Sequence, residues 1–316
     1  MYLGWLTTSS MASFLKKAVR PFRIQYASNF FGKGSADLLK PGVAPNLALL
    51  GNCVNTADAS FAPFLQFCSD NWENVFLVPG PYEMMSRKQE IYPRVLDTLH
   101  TKATKDYKNV YILDQSEGWT GGGLRILGFP GWAGDPDRPL TGKEMEGSIY
   151  SYGSSGVRPL TDPDLDRLND EDTVWLSQQM NLQSFPTLIL SHSLPTPHLL
   201  QRGLPHEAYR RMHLDIFPGE LVRGFPNSVV KAWLGGATGS CSSGVFYNNI
   251  FMAVNSWKSH PGQAQGDKGY RPDAFYEYDW TRRGMERLPT LVPPTLKALL
   301  VPPKAVKPAM KTACLN

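Results

Sequence analysis

Five sets of polar residues stand directly after short apolar runs: Asn29 after Ile24-Gln25-Tyr26-Ala27-Ser28, Asn52 after Leu47-Ala48-Leu49-Leu50-Gly51, Tyr82 and Glu83 after Val75-Phe76-Leu77-Val78-Pro79-Gly80-Pro81, His192 after Leu188-Ile189-Leu190-Ser191, and Thr238 after Ala232-Trp233-Leu234-Gly235-Gly236-Ala237. An imidazole, a carboxylate and two carboxamides brought to one point could ligate a cation or move a proton. The set is poor for both tasks. A carboxamide coordinates through its oxygen without neutralising charge, and a single imidazole does not hold a dinuclear centre. Ser191 and His192 are neighbours on a strand and point to opposite faces, so they are not a nucleophile and its base. His198, His206, His213 and His260 have no acidic companions at ligand spacing and read as surface or loop residues. The sequence therefore predicts neither a metal nor another cofactor.

Runs of this kind, apolar without alternation, are strands covered on both faces, and such strands deliver the residues after them to the carboxyl edge of a sheet. Five strand ends are expected to meet there. The order of the turns resembles the calcineurin-like metallophosphoesterase family, whose members carry Ser-Asp-x-His, Gly-Asp, Gly-Asn-His-Glu, Ser-His and Gly-His-x-His, each after a buried strand. Here the corresponding stretches are Ser28-Asn29-Phe30-Phe31, Gly51-Asn52, Gly80-Pro81-Tyr82-Glu83, Ser191-His192 and Gly236-Ala237-Thr238-Gly239. The resemblance implies an α/β/β/α sandwich, two mixed sheets flanked by helices, over residues 23–280. It also implies a degenerate site. Asn29, Phe31, Asn52, Pro81, Tyr82, Ala237 and Gly239 stand where the family places ligands or the leaving-group acid, and of the metal ligands His192 alone is kept. Asn52 takes the place of the carboxylate that bridges two metals, and Tyr82 that of the histidine that protonates the leaving group. The expectation is a pseudoenzyme.

The elements that must position these residues can be read from apolar spacing. Ala59 to Asn71 predicts a helix with Phe61, Phe64, Leu65, Phe67 and Cys68 inward, and Met84 to Lys102 another with Ile91, Val95, Leu96 and Leu99 inward. Asn109 to Leu113 and Leu124 to Phe129 are strands around a Gly121-Gly122-Gly123 turn. Residues 131–170, rich in Gly, Pro, Ser and Asp, form a surface excursion that in the family lies over the cleft. Asp170-Glu171-Asp172 reads as the acidic start of a helix carrying Val174, Trp175, Leu176 and Met180. Gly244 to Tyr247 and Ile250 to Val254 form a hairpin across Asn248-Asn249, and the domain ends near Tyr278 to Trp280.

Composition narrows the function classes. The chain has 316 residues and a net charge of +4, too little for a dedicated nucleic-acid binder, and its apolar runs are too short to cross a membrane. Cys53, Cys68, Cys241 and Cys314 lack metal spacing and read as reduced thiols. Residues 1–22 carry Lys16, Lys17 and Arg20 and no acid, as a basic arm or a mitochondrial presequence would, and residues 281–316 form a Pro-rich basic extension. The reading is an inactive structural or accessory subunit whose two arms hold other subunits of a large assembly and could also touch RNA. A mitochondrial complex is favoured. The alternatives are a virion structural protein and a metal-independent module for a phosphate-bearing ligand.

Overall fold

The computed structural model describes residues 21–32, 38–120, 123–132, 149–182, 185–199, 229–236, 241–246, 249–257 and 269–279. Residues 1–20 of the amino-terminal arm, the whole carboxyl-terminal extension, Ala237, Gly239, Gly121, Gly122, Asn248 and Trp280 lie outside the described residues, as do His206, His213, His260 and Cys314, while Phe22, expected in the arm, already belongs to the first strand.

Strands β1 (Phe22–Ala27), β2 (Asn46–Leu50), β3 (Asn74–Val78) and β4 (Val110–Ile112) pair in parallel, in the order of the chain. The second sheet is built on β6 (Arg125–Phe129), β9 (Thr187–Ser191), β10 (Val230–Gly235) and β12 (Ile250–Asn255), also parallel to one another. Antiparallel strands close the edges: β13 (Phe275–Tyr278) beside β1, β5 (Ser116–Trp119) beside β6 and β11 (Cys241–Phe246) beside β12. The two mixed sheets are those of the expected sandwich. β5 is an addition, because its alternating, half-exposed Ser-Glu-Gly-Trp carries no apolar run.

Alternate residues of each strand divide three layers of core. Ile24, Tyr26, Leu50, Val78, Leu190 and Leu234 lie between the sheets. Leu47, Leu49, Val75 and Leu77 face helices α1 (Phe61–Asn71) and α3 (Tyr92–Asp106), while Leu127, Ile189, Trp233 and Met252 face α4 (Asp162–Leu182). Burial on both faces explains why these strands read as continuous apolar runs.

Two helix starts differ from the expectation. The predicted helix Met84 to Lys102 is instead a single turn, α2 (Pro81–Met84), followed by a loop and then α3. Ser86 Oγ accepts the N–H groups of Lys88 and Glu90, Gln89 adopts φ 57°, and Pro93 restarts the helix from its first turn. Asp170-Glu171-Asp172 is not a helix start, since α4 begins eight residues earlier, at Asp162. There Asp164 accepts both the N–H and the hydroxyl of Thr161 at 2.9 and 2.7 Å, a capping arrangement written in sequence as Thr-x-x-Asp. Residues 133–148 of the excursion lie outside the described residues, and its described part is more than a surface loop. It carries the β7 (Tyr150–Gly153) and β8 (Gly156–Pro159) ribbon and packs Ile149, Leu160, Leu165 and Leu168 against Met84, Met85 and Trp132. The hairpin expected around Asn248-Asn249 is the β11–β12 pair, with Asn249 at φ 66°.

Candidate functional site

The carboxyl ends of β1, β2, β3, β9 and β10 meet around His192, and three glycines make the approach possible. A Cβ on Gly51 would lie 2.3 Å from His192 Nδ1, one on Gly80 2.9 Å from the same atom, and one on Gly236 1.9 Å from the Leu50 carbonyl oxygen. No side chain other than hydrogen fits at these points. The loops after β1 and β2 continue as a ladder, Asn29 N–H to Gly51 O, Phe31 N–H to Asn52 O and Gly32 N–H to Cys53 O. Asn29 and Asn52 both stand at positive φ, 64° and 55°. Asparagine tolerates that geometry better than most residues, which gives its presence at both positions a backbone reason.

His192 is buried, and its two nitrogens have different partners. Nδ1 lies 3.0 Å from the Leu50 carbonyl, which can only accept, so Nδ1 carries the proton. Nε2 is then a lone pair, and Asn52 Nδ2 donates to it at 3.4 Å. The other end of that amide, Oδ1, accepts the Tyr82 N–H at 2.8 Å, which fixes the Asn52 orientation. Burial holds His192 well below an ordinary histidine, at about 4, with the Leu50 contact acting weakly against it. The site centre is thus a hydrogen bond between two neutral groups.

Glu83 holds the surrounding backbone. Its side chain is fully buried, Oε2 accepts the N–H groups of Asn52 and Gly80 at 2.7 and 2.8 Å, and Oε1 those of Cys53 and Val54 at 2.6 and 3.0 Å. Burial raises its pKa to about 7 against the pull of those four donors. Asp172 does the same for the next loop, accepting from Gly131 and Trp132 N–H and from Gln115 Nε2. Burial, helped by nearby Asp114, raises Asp172 to about 6, and burial alone raises Asp114 to about 6.

Phe31 and Tyr82 stand side by side at this edge. Their rings meet edge to face at 5.7 Å, and Tyr82 OH donates to Asp58 Oδ2 at 2.9 Å. Burial first, and then this bond, push the Tyr82 hydroxyl well above its usual range, so it is a poor proton donor at neutral pH. Pro81 opens α2 and offers the site no side-chain donor or acceptor. Asn55 clamps α2 from below, giving Nδ2 to the carbonyls of Tyr82 and Met85.

A divalent metal pair, which the family resemblance would place here, does not fit these residues. The Nε2 lone pair is taken by Asn52, Asn52 Oδ1 by Tyr82, and both Glu83 oxygens by four backbone N–H groups. Among the described residues, no three His, Cys, Asp or Glu groups are placed to hold a metal ion. Sequence reasoning named Asn29, Phe31, Asn52, Pro81, Tyr82 and His192, and the structure brings all six to this one edge. It undervalued Glu83 and missed Asp58, Asn55 and Asp172. Asn55-Thr56-Ala57-Asp58 was open to discovery as an Asx-type turn, with Ala57 N–H on Asn55 Oδ1 and Asn55 N–H on Asp58 Oδ2.

The His192 geometry has a direct consequence in solution. In the folded protein the imidazole stays neutral down to about pH 4, whereas the unfolded chain takes up the proton near 6.5. Its contribution to stability is present above pH 6.5 and is lost as pH falls through about 4, by about 3 kcal/mol. Glu83, Asp114 and Asp172, raised to about 7, 6 and 6, act in the opposite sense, their contribution being complete below pH 4 and lost as pH rises through those values. A nitrogen NMR titration should therefore find one histidine with a protonated Nδ1 and a bare Nε2 from pH 8 to 5. A normal titration of that ring near 6.5 would contradict the geometry.

No protein-family model matches the sequence. The chain is 23% identical over 278 residues to the uncharacterized protein L509 of Acanthamoeba polyphaga mimivirus, covering 83% of this chain and 95% of that protein. Among solved structures, the phosphopantetheinyl hydrolase of Mycobacterium tuberculosis shares the fold at a TM-score of 0.55, with 12% identity over 91% of this chain and 99% of that one. A dimetal phosphatase from Danio rerio aligns at a TM-score of 0.42, with 12% identity over 82% of this chain and 93% of the other. The architecture is that of a metallophosphoesterase-like sandwich, and at these identities the likeness is one of fold.

Proposed function

We propose that this protein is a metallophosphoesterase-like sandwich that does not hydrolyse phosphoesters and serves as a structural subunit of a large assembly. The observation that carries the first half is the neutral Asn52–His192 hydrogen bond at the meeting point of the strands. Two-metal hydrolysis needs anionic oxygens to hold the cations and to lower the pKa of the attacking water, and here the acids at the site are committed elsewhere. Glu83 serves the backbone and Asp58 serves Tyr82.

The second half rests on what is kept. The framework glycines, the buried strands and the loop clamps persist while donors are missing, as selection for shape alone would leave them. The viral source of the sequence relative supports a virion or another viral particle over the mitochondrial complex that the basic amino-terminal segment suggests. No described helix is long and apolar enough to cross a membrane. Binding of a phosphate-bearing ligand in the same place is the weaker reading, because the N–H groups of Asn52, Cys53 and Val54, which could face an anion, already point at Glu83.

The test is turnover with manganese on a phosphomonoester, a phosphodiester and, given the fold neighbour, a phosphopantetheinyl substrate. The purified protein should be no faster than its His192→Ala variant, and the Asn29→Asp, Asn52→Asp double variant should gain nothing, since Phe31 and Tyr82 supply no ligating nitrogen. Metal-dependent turnover tenfold above the His192→Ala variant would overturn the proposal.

A further inference from the structure

A cleft of about 420 Å³ opens at the end of the sandwich opposite His192, where the amino ends of β1 to β3 meet the end of β5. Its walls carry four aromatic rings, Phe22, Phe76, Tyr111 and Trp119, and two acids, Glu73 and Glu117. Phe76 and Tyr111 stack at 5.6 Å, and Phe185 meets Trp119 edge to face at 5.1 Å, which holds the indole upright. Tyr111 and Trp119 are nevertheless 43% and 46% exposed. Glu117 accepts from both Arg125 Nε and Trp119 Nε1, so its carboxylate sits beside the indole instead of pointing away.

A groove that sets flat aromatic rings beside carboxylates is suited to a polyproline-type segment with basic neighbours. Proline rings lie on the aromatic faces, the extended backbone needs no partner strand, and a lysine meets the acid. The chain itself contains such a segment. Residues 289–308 hold Val292-Pro293-Pro294 and Val301-Pro302-Pro303-Lys304, with Lys297 and Lys307 and no acid. Its starting point is suitable too. β13 runs antiparallel to β1 with Tyr278 opposite Phe22, and Phe22 lines the cleft, so the chain leaves the sandwich at the cleft rim. The ten residues from 279 to 288 can span up to about 30 Å, enough to enter from there.

We infer that the aromatic and acidic cleft where the amino ends of β1 to β3 meet β4 and β5 is a docking groove for the Pro-rich segment 289–308 of the same chain. The groove thereby anchors the carboxyl-terminal extension on the face away from His192. This goes beyond the proposed loss of catalysis and does not depend on it.

The experiment uses the full chain with benzoylphenylalanine in place of Trp119, irradiated as a mixture of isotopically heavy and light protein. The expected product is a cross-link within one chain to residues 289–308. Its yield should drop at least fivefold when Pro293, Pro294, Pro302 and Pro303 are changed to glycine. A cross-link to residues 1–20, a heavy–light product or no product would overturn the inference. Independently, Trp119→Ser should speed tryptic cleavage after Lys297 and Lys304 at least fivefold, and equal rates would count equally against it.

Discussion

Glu83→Ala will cost the fold at least about 4 kcal/mol. The carboxylate accepts four backbone N–H groups from Asn52, Cys53, Val54 and Gly80, and a methyl group leaves all four without an acceptor. An unsatisfied buried donor costs about 1–3 kcal/mol, so the figure holds even after water relieves part of the loss. For a domain of this size it lowers the thermal midpoint by roughly 10 °C. Glu83→Gln should be milder, because its amide oxygen still accepts two of the four. Denaturant midpoints of both variants at pH 8 check the order, and an alanine variant within 1 kcal/mol of the parent would show that Glu83 does not hold the loops.

Gly236→Ala is expected to lose roughly 3 kcal/mol, the upper range for overpacking, through a collision between backbones. The new Cβ would fall 1.9 Å from the Leu50 carbonyl and 2.9 Å from that of His192, and neither atom can rotate away as a side chain could. The Leu50 carbonyl is also the acceptor for His192 Nδ1. Moving it should therefore disturb the imidazole as well, and the same variant should shift or broaden the Nδ1–H resonance while the midpoint falls. A lower midpoint with that resonance unchanged would mean that the strand ends separate without passing through Leu50.

Much of the framework was legible in the sequence because two-sided burial writes itself as apolar runs. Leu47 to Leu50 and Leu188 to Ser191 are strands by that signal, and Gly51, Gly80 and Gly236 mark their turns. Where the expectation failed, a polar side chain had taken over from periodicity. Ser86 and Pro93 divide what apolar spacing joins, and Thr161 with Asp164 starts α4 ahead of its more acidic stretch. Asp172 is the clearest case. Its position in an acidic triplet suggests a solvated helix end, yet it is 1% exposed and serves the backbone of Gly131 and Trp132. Nothing in the order of residues reveals a carboxylate consumed by main-chain donors brought from 40 positions away.

The pairing of β1 with β13 bears on how the protein is made. Arg23 and Glu277 bridge these strands across 254 positions of sequence, so β1 leaves the ribosome long before its edge partner is made. At 5–20 residues per second, the interval is on the order of 10–50 s, during which the β1 edge has neither its partner strand nor the cover of Tyr276 and Tyr278. Translation thus leaves an unpaired edge waiting in the crowded cell, the kind of surface that holdase chaperones occupy and that neighbouring nascent chains can join.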